Sequence, residues 1–148
     1  METTQNIGIL NGLISILEDG RVGYTNAAEN CEDPILKTEF LGIARDRSLM
    51  VIQLQDEINK LGKSTDATDG PLGAIHRAWI DFKSLITGHD KDAIIEACLT
   101  GEEAALNTFK EAVKSDSLSP HLFAIISSQL MMIEKAMAKI KAYKNITV

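Results

Sequence analysis

The chain has 148 residues, 45% of them hydrophobic, which suits one domain with a substantial core. Its formal net charge of -6 leaves no basic surface for the phosphates of nucleic acid or for an anionic membrane. No apolar run approaches the roughly 18 residues of a membrane span, and the polar start of the chain is unlike a signal peptide. We therefore expect a single cytoplasmic domain over residues 1–148 that binds neither nucleic acid nor membranes.

The first predicted unit is an antiparallel pair of long helices. Apolar residues recur at steps of three and four over residues 3–30, which predicts a long amphipathic helix. Asp33 suits the N-cap of the next helix and Pro34 suits its first position. The second helix then covers residues 34–61, and Gly62 is a natural C-terminal cap.

The rest of the chain predicts a connection and a second helical hairpin. Residues 62–70 form a polar linker, and residues 71–87 predict a short helix that packs Trp79 against the bundle. A long helix follows over residues 91–114, and the last helix begins at Pro120 after a second turn.

The two hairpins share one apolar pattern. Six positions of the first helix recur 85 positions later: Leu10, Leu13, Leu17, Gly20, Tyr24 and Ala27 correspond to Ile95, Cys98, Glu102, Ala105, Phe109 and Ala112. No segment alternates with period two, so a sheet is not expected. The sequence predicts an all-α, ferritin-like four-helix bundle of two antiparallel hairpins, joined by a crossover with a short helix.

Acidic residues near the apolar stripes are the candidate site. The predicted hairpin registers place Glu18, Glu102, Glu103 and Glu134 in one slab of the bundle, with Arg47 on the remaining helix. Carboxylates that meet inside a bundle repel each other unless a cation compensates them. That cation could be a metal such as iron or manganese, or it could be the guanidinium of Arg47.

The pattern of a di-metal bundle is incomplete in this chain. That pattern needs two Glu-x-x-His motifs, but Met50 follows Arg47 at this spacing and Met137 follows Glu134. A thioether is a poor ligand for iron or manganese, so no cofactor is expected and Arg47 becomes the predicted internal cation. The sequence favours the alternative that the acids pair with Arg47 or lie at the solvated edge of their stripes, where an exposed carboxylate needs no explanation.

Several short motifs resemble a known family. They are Leu17-Glu18-Asp19-Gly20, Gly23-Tyr24, Ala27-Ala28-Glu29, Asp33-Pro34, His76-Arg77-x-Trp79 through Lys83, and Gly101 to Leu106. Together they resemble an uncharacterised bacterial family of ferritin-like four-helix bundles, known as a domain of unknown function. The resemblance implies a ferritin-like fold and a bacterial cytoplasmic origin. Gly101-Glu102 also resembles the Gly-Glu of rubrerythrin helices, whose glutamate binds iron.

Two functional hypotheses follow from these observations. The first is a non-catalytic bundle with a structural or stress-associated binding role, which we expect to form a homo-oligomer. The second is a metal-carboxylate protein that stores iron or performs redox chemistry at Glu18, Glu102, Glu103 and Glu134. None of the three histidines pairs with a cysteine or serine in a recognisable nucleophile arrangement, which favours a protein without enzymatic activity.

Overall fold

The computed structural model describes residues 2–62 and 90–144, and these residues form four α-helices and no strand. The helices are α1 (Glu2–Asn30), α2 (Pro34–Lys60), α3 (Lys91–Val113) and α4 (Pro120–Lys144). These bounds confirm the four long predicted helices nearly to the residue. The predicted linker, the predicted short helix over residues 71–87 and Trp79 lie outside the described residues.

Local signals fix the ends of the helices. The carboxylate of Asp33 accepts hydrogen bonds from the amides of Ile35 (2.9 Å) and Leu36 (3.4 Å), which caps α2 as predicted. Gly62 ends the same helix with a φ of 83°, in the left-handed region that favours glycine. The hydroxyl of Ser119 caps α4 by accepting from the amide three residues later (3.2 Å).

The four helices pack as two antiparallel hairpins, α1 with α2 and α3 with α4. The hairpins meet closely along α1 and α3, whereas α2 and α4 approach each other more loosely. Since the backbones of α2 and α3 make no close approach, these two helices lie across a diagonal of the bundle. This arrangement is a four-helix bundle.

Contacts at the two ends establish the helix directions. Lys91 at the start of α3 binds Asp33 before α2 (3.1 Å), so α2 and α3 begin at the same end. Glu57 near the end of α2 binds His121 at the start of α4 (2.9 Å), so these helices run antiparallel. The chain therefore leaves α2 at one end of the bundle and enters α3 at the other, as the predicted crossover requires.

Two apolar clusters fill the interior. One cluster includes Tyr24, Phe40 and Cys98, and the other includes Leu17, Leu54 and Phe109. Arg47 on α2 and Glu102 on α3 fall between the stretches of their helices that supply the two clusters. None of the described helices combines the length and the apolar character needed to cross a bilayer.

Candidate functional site

A buried ion pair joins α2 to α3 across the diagonal of the bundle. Arg47 Nη1 donates to Glu102 Oε1 at 2.6 Å, and Arg47 Nη2 donates to Glu102 Oε2 at 2.7 Å. The exposed fraction is 2% for the arginine side chain and 0% for the glutamate side chain. The contact is therefore a fully enclosed, bidentate guanidinium–carboxylate pair, which is a strong hydrogen-bonding geometry.

The surroundings of the pair keep its charges in place. Burial alone would lower the pKa of Arg47, but the charge and hydrogen bonds of Glu102 raise it, and the result lies above the usual value. The guanidinium carbon also lies 5.5 Å from the ring centroid of Tyr24, within the range of a cation–π contact. Arg47 therefore stays a cation inside the bundle.

The other titratable groups beside the pair hold their protons. Burial raises the pKa of Tyr24 well above its usual value, and the negative charge of Glu102 raises it further. Burial and Glu102 likewise raise the pKa of the Cys98 thiol. A neutral phenol and a neutral thiol thus flank one cation and one anion, so this group of residues carries no net charge.

The structure does not bring the four predicted acids together. Glu18 is half-buried and binds Arg21 of its own helix at 3.1 Å, while Glu103 and Glu134 are exposed. Glu102 alone among the four faces the interior. The other three acids lie outside the interior because a residue next to a core position in sequence is rotated about 100° from it on a helix.

The residues around Glu102 do not fit a metal-carboxylate centre. Both carboxylate oxygens of Glu102 already accept hydrogen bonds from Arg47. Within residues 2–62 and 90–144, no group of three or more histidine, cysteine, aspartate or glutamate side chains is arranged to hold a metal ion. Arg47 thus occupies the position next to Glu102 that a bound cation would need.

A second buried acid, Glu57, was not predicted as a site residue. Glu57 on α2 is 6% exposed and binds His121 Nε2 at 2.9 Å and Lys60 Nζ at 3.3 Å. The hydrogen bond that Lys60 donates to Glu57 raises the pKa of Lys60 above its usual value. The signal was present in the sequence, because Glu57 lies on the apolar stripe of its helix. These contacts tie the end of α2 to the start of α4.

An open groove lies between α1 and the end of α3. It has a volume of about 740 Å³, and its apolar wall includes Ile9, Leu13 and Ala112. Glu111 and Asp116 also line it, but neither is buried. The groove therefore offers shape and apolar surface without a buried group that could perform chemistry.

A family model described as a domain of unknown function, DUF2383, matches residues 5–115. The match covers 111 of the 148 residues. The chain belongs to this family. The part that matches DUF2383 contains Tyr24, Arg47 and Glu102, whereas α4 with Glu134 follows it. No curated protein matches the chain.

Proposed function

We propose that this protein is a non-catalytic, ferritin-like bundle with a structural or stress-associated binding role. In this proposal Arg47 supplies the interior positive charge that iron or manganese supplies in a metal-carboxylate bundle. The observation that carries the proposal is the bidentate contact of Arg47 with Glu102, at 2.6 and 2.7 Å in a fully buried position. A bacterial, cytoplasmic origin stays a prediction of the sequence.

The chemistry of the ion pair supports a role without catalysis. A general acid or base must exchange its proton near the working pH. Arg47 does not release its proton, and burial raises the pKa values of Tyr24 and Cys98, so these groups stay protonated. No neighbouring group in this set is prepared to activate a nucleophile or a water molecule.

The alternative is a metal-carboxylate protein that uses Glu18, Glu102, Glu103 and Glu134. It would require Arg47 to withdraw from Glu102, which would leave a buried cation without its counter-ion. It would also require the exposed carboxylates of Glu103 and Glu134 to turn inward. Both movements are unfavourable, so the geometry supports the non-catalytic proposal better.

Metal content after growth with added iron or manganese tests the proposal. We expect elemental analysis of the dialysed protein to find far less than one ion per chain. We also expect no rise in the unfolding temperature when either ion is added, because a ligand stabilises the fold only if it binds the folded state. Stoichiometric metal that survives dialysis, and that Glu102→Gln removes, would overturn the proposal in favour of the metal-carboxylate alternative.

A further inference from the structure

Helix α2 carries apolar residues on two faces. Its inner face is filled by core residues such as Leu36, Phe40 and Leu54. Yet four of the eight large exposed apolar residues in the described part of the chain also lie on α2: Ile35, Leu41, Leu49 and Ile52. A second apolar face on a helix that already supplies the core is the pattern of an interaction surface.

Five exposed residues form a continuous stripe on the solvent side of α2, which we call the outer stripe. The outer stripe consists of Leu41, Arg45, Leu49, Ile52 and Asp56. Their spacing of four, four, three and four residues keeps them on one face of the helix. The stripe therefore has an apolar centre with a positive charge on one side and a negative charge on the other.

We propose that the outer stripe is the interface of a homodimer in which two copies of α2 pack antiparallel about a two-fold axis. The register that places Arg45 opposite Asp56 of the partner subunit also places Leu49 opposite Ile52 of the partner subunit. A two-fold axis repeats both contacts. The interface would then hold two opposite-charge pairs around a centre of four aliphatic side chains.

Charge complementarity identifies a second copy of this chain as the occupant. The charged residues lie at equal distances from the apolar centre, since Arg45 precedes Leu49 by four positions and Asp56 follows Ile52 by four. A two-fold interface demands this self-complementarity, whereas an unrelated partner does not. Arg45 forms no ion pair within the described part of the chain. Asp56 contacts Lys60 of its own helix at 3.5 Å, but both side chains are exposed and such a pair contributes little, so both charges are available to a partner.

Charge reversal tests the register of the dimer. Arg45→Asp and Asp56→Arg each place like charges opposite each other twice, and we expect each to weaken dimerisation about tenfold at low salt. The double variant restores both opposite-charge pairs and should regain the wild-type dissociation constant. An equimolar mixture of the two single variants should form a heterodimer, because both of its charge contacts are favourable. Sedimentation velocity measures all four samples.

A matched pair of apolar substitutions tests the face itself. Ile52→Glu places a charge at the centre of the interface and should yield a monomer with unchanged helix content. Met131→Glu is the control: Met131 is 57% exposed on the solvent side of α4, against 59% for Ile52, and its substitution should leave the dimer intact.

Three results would overturn the proposal. The first is a wild-type monomer at high protein concentration, which would leave the outer stripe to a different protein partner or to solvent. The second is a dimer that survives Ile52→Glu, and the third is a failure of both the double variant and the mixture to restore association. None of these measurements depends on metal content, so this inference and the proposed function can fail separately.

Discussion

Replacing Arg47 with methionine removes the only cation that contacts Glu102 among the described residues. Glu102 would lose two hydrogen bonds of 2.6 and 2.7 Å while it stays enclosed by the bundle. Breaking a buried pair in this way costs about 3–5 kcal/mol. We therefore expect Arg47→Met to lose that amount of unfolding free energy at neutral pH, which is a large fraction of the roughly 5–15 kcal/mol of a typical domain.

The loss should shrink as the pH falls. A buried carboxylate without a partner takes up a proton more readily than an exposed one, so the folded variant binds a proton that the unfolded chain has released. Stability then falls as the pH rises, with a slope of up to about 1.4 kcal/mol per pH unit. Between pH 7 and pH 5, Arg47→Met should recover up to about 2.7 kcal/mol relative to the wild type.

Glu102→Gln provides the matched contrast. It leaves the guanidinium of Arg47 buried with a neutral partner, and that group does not release its proton at ordinary pH. Its destabilisation should therefore persist on acidification, unlike that of Arg47→Met. Urea titrations of the three proteins at both pH values measure these differences. An Arg47→Met variant within about 1 kcal/mol of the wild type at both pH values would refute the reasoning.

Two further predictions concern the stability of the fold at acidic and at alkaline pH. The hydrogen bond that Lys91 donates to Asp33 is the main reason that the pKa of Asp33 is lowered, and hydrogen bonds from the first amides of α2 lower it further. Asp33 therefore stabilises the fold above the ordinary carboxyl pKa, and this stabilisation is lost as the pH falls through the folded-state pKa. Asp33→Asn keeps the cap, and its urea midpoint should fall less than that of the wild type as the pH drops below about 4. An equal fall in both proteins would show that Asp33 does not cause the loss of stability in acid. Burial raises the pKa of Tyr24, so above about pH 10 the folded protein keeps a phenol proton that the unfolded chain releases. The contribution of Tyr24 to the free energy of unfolding is therefore constant below about pH 10 and falls as the pH rises further. Tyr24→Phe should lose less stability than the wild type between pH 8 and pH 10.5, and equal losses in denaturant titrations would show that Tyr24 does not cause the effect.

The helices were predictable because their signals are local. Asp33 and Pro34 mark the start of α2, and Gly62 marks its end, through hydrogen bonds and dihedral angles that involve a few neighbouring residues. The inward positions of Arg47 and Glu102 also follow from the sequence, because both residues lie directly on an apolar stripe. Helical periodicity alone therefore accounts for the fold class and for the two members of the ion pair.

The same reasoning does not predict whether the other three acids face the interior. Counting residues from a turn estimates how far along the bundle a side chain lies, but it does not fix the direction in which the side chain points. Glu103 is at nearly the same level as Glu102 and yet is exposed. Glu18 follows the buried Leu17 and turns to Arg21, one helical turn later. The position of a side chain along the bundle axis and its direction around its own helix are separate quantities. Side chains form a site only when both bring them together.

The internal repeat gives the ion pair a further consequence. Glu102 on α3 corresponds to Leu17 on α1 in the repeat, and Arg47 and Ile133 occupy the same place relative to the starts of α2 and α4. Leu17 and Ile133 are both fully buried. One diagonal of the bundle thus carries two opposite charges, and the equivalent positions on the other diagonal carry two aliphatic side chains.

Apolar side chains can pack in several registers, but a buried carboxylate and guanidinium are satisfied only when they meet. An assembly that shifted one hairpin along the other would separate Arg47 from Glu102 and leave both charges buried without partners. The ion pair therefore selects one register of two similar hairpins, which apolar packing alone would specify less strictly.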